Sequence, residues 1–211
     1  MGSMYATLII VDDFYPDPHK IREVALGFDY PEQDGNYPGR NSRQRLHIDG
    51  LDEAVSDILG QPVTGDMTQA HAQFRIALAE DQARYHVHVD TGVHWSGVAY
   101  LSLPEHCQGG TDLFRHIGTG TDRAPMNDDE LAVFGAETPQ EAINRVMTAD
   151  ANDLSRWEKV MTLPMRFNRL VLFRPWLWHA ASSGFGTTLE DGRLIQGLFF
   201  GPDGEASNAG A

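Results

Sequence analysis

His88 and Asp90 are the residues in this sequence most clearly spaced for chemistry. They lie in the run Tyr85-His86-Val87-His88-Val89-Asp90-Thr91-Gly92. Extended backbone points alternate side chains to one face. A strand over residues 85–90 therefore puts His86, His88 and Asp90 on one face, with Val87 and Val89 behind them. An imidazole nitrogen and a carboxylate oxygen so placed can close on one metal ion, and they are ligand types that suit non-haem Fe(II). A His-x-Asp triplet also arises by accident in many chains. Two ligands from one strand need a third from another part of the fold.

The elements that would carry such a site follow from the chain's composition and punctuation. Its 211 residues are 41% hydrophobic, which suits one globular domain with a full core. We expect a single domain over residues 4–200 and a frayed tail over 201–211. The net charge is −14. A surface that acidic repels phosphate backbones and anionic lipid, so nucleic acid and membrane are poor partners. A single cysteine, Cys107, excludes an internal disulfide. With no charged-then-apolar leader, it points to a reducing cytoplasm.

Along the chain, residues 7–11 read as a buried strand. Asp17 reads as a helix N-cap with Pro18 behind it, and Gly27 as the stop. Residues 29–47 read as a long irregular loop. Its Arg40, Arg43 and Arg45 either pair with local carboxylates or meet an anionic substrate. Leu51, Val55, Ile58 and Leu59 mark a helix closed by Gly60. Ala72, Phe74, Ile76 and Leu78 alternate with His71, Gln73, Arg75 and Ala77, giving a strand with one apolar and one polar face. The polar face looks into either a pocket or solvent.

Further strands are expected at 97–103, 111–114, 170–173 and 192–200. Short strands separated by Gly and Pro turns indicate a mainly β, α+β architecture, sandwich- or barrel-like with flanking helices. Residues 115–158 break the pattern. The capping box Thr138-Pro139-Gln140-Glu141 precedes an amphipathic helix, and Leu154, Trp157 and Met161 suggest another turn or two. This segment reads as a helical insertion that either covers the mouth of the site or packs outside the sheet.

The order of these features resembles the Fe(II)- and 2-oxoglutarate-dependent oxygenases, in particular their prolyl-hydroxylase-like branch. The resemblance covers residues 84–200, with a weaker extension through Val11-Asp12-Asp13-Phe14, Asp17-Pro18 and Arg22. Tyr85 stands three residues before His88. Tyr100-Leu101-Ser102 and Gly109-Gly110-Thr111 look like the family's paired motifs, and Leu172-Phe173 before Trp178-His179 looks like the run into its second metal histidine. Two positions depart from the pattern. Ile195 stands where many relatives place Ser or Thr. The family's glutamate after the glycine pair is missing, since Thr111 follows Gly110 directly.

The resemblance implies a double-stranded β-helix, a jelly-roll or cupin-like core. It implies His88, Asp90 and His179 as iron ligands, Arg193 as the partner of the 2-oxoglutarate C5 carboxylate, and Tyr100 beside that cosubstrate. Tyr85, His86 and Arg75 would shape the substrate pocket. The implied reaction consumes O2 and 2-oxoglutarate, releases succinate and CO2, and hydroxylates a small molecule, amino acid or peptide side chain. Related halogenases lack the carboxylate, so Asp90 favours hydroxylation, desaturation or ring closure.

Other readings stay open on the residues alone. His86 and His88 could form a His-x-His pair, as in a cupin enzyme that uses no 2-oxoglutarate. Arg193 could pair with Glu190 or Asp191 at a strand end. The whole could be a non-catalytic jelly-roll binding module.

Overall fold

The computed structural model describes residues 5–32, 37–81 and 86–202. The chain runs β1 (Leu8–Val11), α1 (Pro18–Leu26), β2 (Arg40–Arg45), α2 (Leu51–Leu59), β3 (Val63–Gly65), β4 (Gln73–Ala77), β5 (Trp95–Tyr100) and β6 (Gly110–His116). It continues with α3 (Asp128–Phe134), α4 (Pro139–Asp150), a 3-10 turn (Leu154–Arg156), β7 (Trp157–Pro164), β8 (Leu170–Phe173), β9 (His179–Ala181) and β10 (Arg193–Pro202). The larger sheet has the order β1-β8-β5-β10-β4-β2, with β3 on the end of β10. The smaller has the order β7-β6-β9, and its strand pairs, like those of the larger sheet, are antiparallel. This is a double-stranded β-helix with a few helices, as the motif order implies.

Alternation along the larger sheet separates its two faces. One face presents Phe74, Ile76, Leu170, Leu172, Leu194 and Leu198 to Ala25 of α1 and to Leu51 and Val55 of α2. The opposite face presents Tyr100, Val171, Phe173 and Ile195 toward Leu163 and Met165. The antiparallel registers set Tyr100, Ile195, Arg75 and Asn41 abreast across β5, β10, β4 and β2. Because side chains abreast share a face, one row delivers an arginine to the interior of the sandwich.

The helices begin and end where their sequences dictate. The Asp17 carboxylate accepts from the Lys20 amide at 3.1 Å, and Gly27 closes α1. The Thr138 hydroxyl accepts from the Glu141 amide at 3.2 Å, while the Glu141 carboxylate accepts from the Glu137 amide. The insertion packs on the smaller sheet and also sends Met147 of α4 to the cavity beside His88 and His179. Leu131 and Phe134 of α3 and Ala142 and Val146 of α4 join Phe114, Trp157 and Trp178 of the smaller sheet in one buried cluster.

Four expectations are corrected. Residues 29–47 are not all loop, because they contain β2. That strand lacks apolar alternation and is held instead by pairing with β4 and by the Ser42 hydroxyl, which accepts from the Phe74 amide at 2.9 Å. Its arginines make local contacts: Arg40 with Glu32, Arg43 with Asp29, and Arg45 with the His71 carbonyl. The helix expected through Met161 is a single 3-10 turn followed by β7. The helical spacing of Leu154, Trp157 and Met161 loses there to antiparallel pairing with β6. The strand expected over residues 85–90 is one isolated bridge at His88. Finally, β10 runs to Pro202, past the expected start of the tail, and residues 203–211 lie outside the described residues.

Candidate metal centre

The candidate ligands His88 and His179 are brought together by a backbone pairing across the edge of the smaller sheet. The amides of His88 and His179 each donate to the other's carbonyl at 2.9 Å. On the far side of β9, Leu113 of β6 pairs with His179, so the second histidine is held from both edges. The Asp90 amide donates to the Pro175 carbonyl at 3.0 Å. Both histidines and the carboxylate thus hang from paired backbone.

His88 Nε2 stands 3.9 Å from Asp90 Oδ1, and His179 Nε2 stands 3.5 Å from Asp90 Oδ2. Among the described residues, His88, Asp90 and His179 offer donor atoms that all lie within 4.8 Å of one another. His179 Nδ1 is 2.8 Å from the Leu177 carbonyl, and donation there leaves Nε2 with its lone pair toward the carboxylate. The Phe173 ring packs edge-on to His179, at 4.7 Å between centroids. Ser96 donates its hydroxyl to Asp90 Oδ2 at 2.5 Å and so fixes the carboxylate.

The protonation states suit a cation. Burial, with His179 beside it, presses the His88 imidazole down to about 3, so it stays neutral. Burial opposes ionisation of Asp90, but His179, His88 and the Ser96 hydroxyl together hold its carboxyl well below the usual carboxylate range. A neutral His88 imidazole and an ionised Asp90 carboxylate are in the forms that ligate a metal.

The triad opens into a cavity of about 310 Å³ that is also lined by Arg193, Arg75, Thr111, Phe173 and Met147. Arg193 is buried at the start of β10. Its Nη2 donates to the Gly110 carbonyl at 3.1 Å, and its Nε is buried with no partner among the described residues. Burial lowers its guanidinium from the ordinary arginine value, with the Tyr100 hydroxyl side opposing. Glu190 and Asp191 do not pair with it. The Glu190 carbonyl accepts from Arg22, and the Asp191 carboxylate accepts from the amides of Thr187 and Thr188.

Tyr100 lies behind the cavity wall. Its hydroxyl is 2.8 Å from the Thr111 hydroxyl, and Thr111 does line the cavity. Arg75 reaches the cavity from β4. His86 does not join the triad, because it lines a neighbouring cavity with Asp81, Asn152 and Ser183. The local reason is that the chain bends at His86 and Val87 instead of running extended, so alternation does not carry it to the face of His88. Tyr85 lies outside the described residues. Ser96, Thr111, Tyr37 and Asn41 complete the surroundings, and sequence reasoning did not single them out as site residues. Thr111 alone carried a signal, through its place after the glycine pair.

The architecture is that of a double-stranded β-helix with a two-histidine, one-carboxylate cluster at its smaller sheet. A family model described as a family of unknown function, DUF6445, matches residues 1–200, and the chain belongs to that family. No curated protein matches it in sequence. Among solved structures it is similar to the non-heme alpha-ketoglutarate-dependent carbocyclase SnoK from nogalamycin biosynthesis, with a TM-score of 0.54 and 10% identity over 93% of this chain and 79% of that one. It is also similar to HygX from Streptomyces hygroscopicus with nickel, 2-oxoglutarate and hygromycin B bound, with a TM-score of 0.52 and 12% identity over 94% of this chain and 84% of that one. At such identities the likeness is one of fold.

Proposed function

We propose that this chain is an Fe(II)- and 2-oxoglutarate-dependent oxygenase of the prolyl-hydroxylase-like branch, acting on a small molecule, an amino acid or a peptide side chain. One observation carries the reading: a converging His88–Asp90–His179 cluster shares a cavity with the buried Arg193, whose Nε finds no partner among the described residues. The fold shared with SnoK and HygX supports it.

In this reading His88, Asp90 and His179 would hold the iron, as ligand types that suit non-haem Fe(II). When bound, iron and 2-oxoglutarate supply the oxidising power for hydroxylation, with succinate and CO2 released. The chain's own residues bind and orient. Arg193 receives the far carboxylate of 2-oxoglutarate in a charge-assisted pair, which favours a five-carbon diacid over pyruvate. Thr111, held by the Tyr100 hydroxyl, offers that carboxylate a hydroxyl on the side where Ile195 replaces the usual Ser or Thr. Phe173 and Val98 give the cavity part of its apolar lining. The lone cysteine fits work in a reducing cytoplasm.

The test is cosubstrate turnover. Protein supplied with Fe(II), ascorbate, O2 and 2-oxoglutarate should release succinate slowly even without a substrate, and not at all with Asp90→Ala. Succinate release by Asp90→Ala at the parent's rate would refute the reading. So would its absence from iron-loaded parent protein.

A further inference from the structure

Arg75 is a second guanidinium in the metal cavity that neither the triad nor the cosubstrate uses. It sits on β4 abreast of Ile195, with its Nε donating to Asn41 Oδ1 at 2.7 Å. Its guanidinium carbon lies 3.2 Å from the centroid of the Tyr37 ring. These two contacts fix the plane of the guanidinium and occupy its Nε edge. The Tyr37 hydroxyl also lies within hydrogen-bonding reach of the guanidinium, and among the described residues no carboxylate pairs with its Nη groups. Among the described residues, no ion pair joins a carboxylate to Arg75 or Arg193, and Asp90 is the one acidic side chain on the cavity wall.

Charge balance then decides what the ligand is. A divalent ion, the Asp90 carboxylate and two guanidinium groups leave three positive charges in excess. The 2-oxoglutarate dianion removes two of them. An uncompensated charge in a largely buried cavity is expensive, so the remaining guest should bring a single negative charge. A carboxylate matches the two parallel N–H groups of a guanidinium edge. A phosphate monoester carries nearly two charges and would overshoot.

We propose that Arg75, oriented by Asn41 and Tyr37, binds the carboxylate of a small monoanionic substrate. This rests on the oxygenase reading above and adds the substrate's class to it. Arg75 anchors one end of the substrate, and the cavity's size confines the rest beside the metal. The strand register places the anchor on the face that carries Arg193, so substrate and cosubstrate carboxylates occupy separate arginines on neighbouring strands.

The test uses protein loaded with Mn(II) and 2-oxoglutarate, titrated by calorimetry with acetate, propionate and benzoate and with their primary amides. The acids should bind at least about tenfold more tightly than the amides of the same shape, the difference a charge-assisted pair supplies. Arg75→Gln should erase that difference while 2-oxoglutarate affinity stays within about threefold, and Arg75→Lys should restore part of it. Arg193→Gln should show the reverse pattern, with 2-oxoglutarate weakened first.

The proposal is overturned if no acid binds the loaded parent protein, or if acids and amides bind alike, neither of which needs a variant. It is also overturned if Arg75→Gln weakens 2-oxoglutarate more than Arg193→Gln does, because Arg75 would then be the cosubstrate's residue. If 2-oxoglutarate itself fails to bind the metal-loaded parent, the oxygenase reading falls and takes this proposal with it.

Discussion

His88 and His179 exchange both of their backbone hydrogen bonds, each amide donating to the other's carbonyl at 2.9 Å. Such a pair in an antiparallel ladder fixes the two Cα atoms about 5.5 Å apart. Residues far apart in sequence are thereby set at the separation that lets both imidazoles reach one ion. The pairing is a single bridge on the free edge of β9, whose other edge pairs with β6. Asp90, two residues past that bridge, completes the cluster, with its amide held by the Pro175 carbonyl.

The carboxylate's position depends on a neighbour in β5. Ser96 is buried and spends its hydroxyl on Asp90 Oδ2. Ser96→Ala should lower metal affinity about 10- to 100-fold, the usual cost of losing a group that orients a ligand. Stability should change by no more than about 1 kcal/mol. Titration with Fe(II) or Mn(II) under anaerobic conditions reads the affinity, and an unchanged value would mean that Asp90 is oriented by its backbone alone.

Gly110 lets β6 approach β7 beneath Arg193. A Cβ there would collide with the Leu163 carbonyl oxygen, and the Gly110 carbonyl accepts from Arg193 Nη2 at 3.1 Å. Gly110→Ala should destabilise the fold by about 1–3 kcal/mol. By displacing that carbonyl it should also weaken 2-oxoglutarate binding about tenfold or more, with metal binding within about threefold. Thermal unfolding and cosubstrate titration check the two effects separately.

Acid should destabilise the protein before its carboxylates titrate. Burial lowers the His71 imidazole below its usual value, with the Phe199 carbonyl opposing, and His86 and His88 shift in the same direction. Below about pH 6.5 the unfolded chain takes up protons that the folded chain refuses, so stability falls as pH falls. It is fully present above that pH. Each such histidine contributes at most about 1.4 kcal/mol per pH unit. Urea midpoints of chelated protein at pH 7.5, 6.5 and 5.5 should fall in that order, and His71→Gln should give a shallower fall. Parallel lines for parent and variant would contradict the assignment to His71.

The sequence made the fold and the triad legible for different reasons. The helix ends were readable because Asp17, Gly27, Gly60 and Thr138 act locally, through caps that need no tertiary context. The convergence of His88, Asp90 and His179 was readable because ligand types are few and the order of motifs places them. The strand around His88 was not, because Val87 and Val89 alternate like a strand while the backbone forms one bridge and bends at His86. β2 was hidden by its polar sequence, since its pairing rests on backbone and on Ser42 and Asn41. For the same reason Tyr37 and Asn41 carried no sign of meeting Arg75. Their contact is set by the register of β2 on β4, which local sequence does not encode.

The most direct test of the account is an anaerobic titration of the protein with Fe(II) and 2-oxoglutarate, followed by the weak visible absorption of the iron–2-oxo acid chelate. We expect the band in the parent protein, its loss in His179→Ala, and a cosubstrate affinity weakened about 100-fold in Arg193→Ala, the loss of a buried charge-assisted pair. Iron that binds without producing the band would contradict the 2-oxoglutarate assignment and favour a cupin-like metal enzyme. A chain that binds no iron would contradict the metal centre itself and leave a jelly-roll binding module.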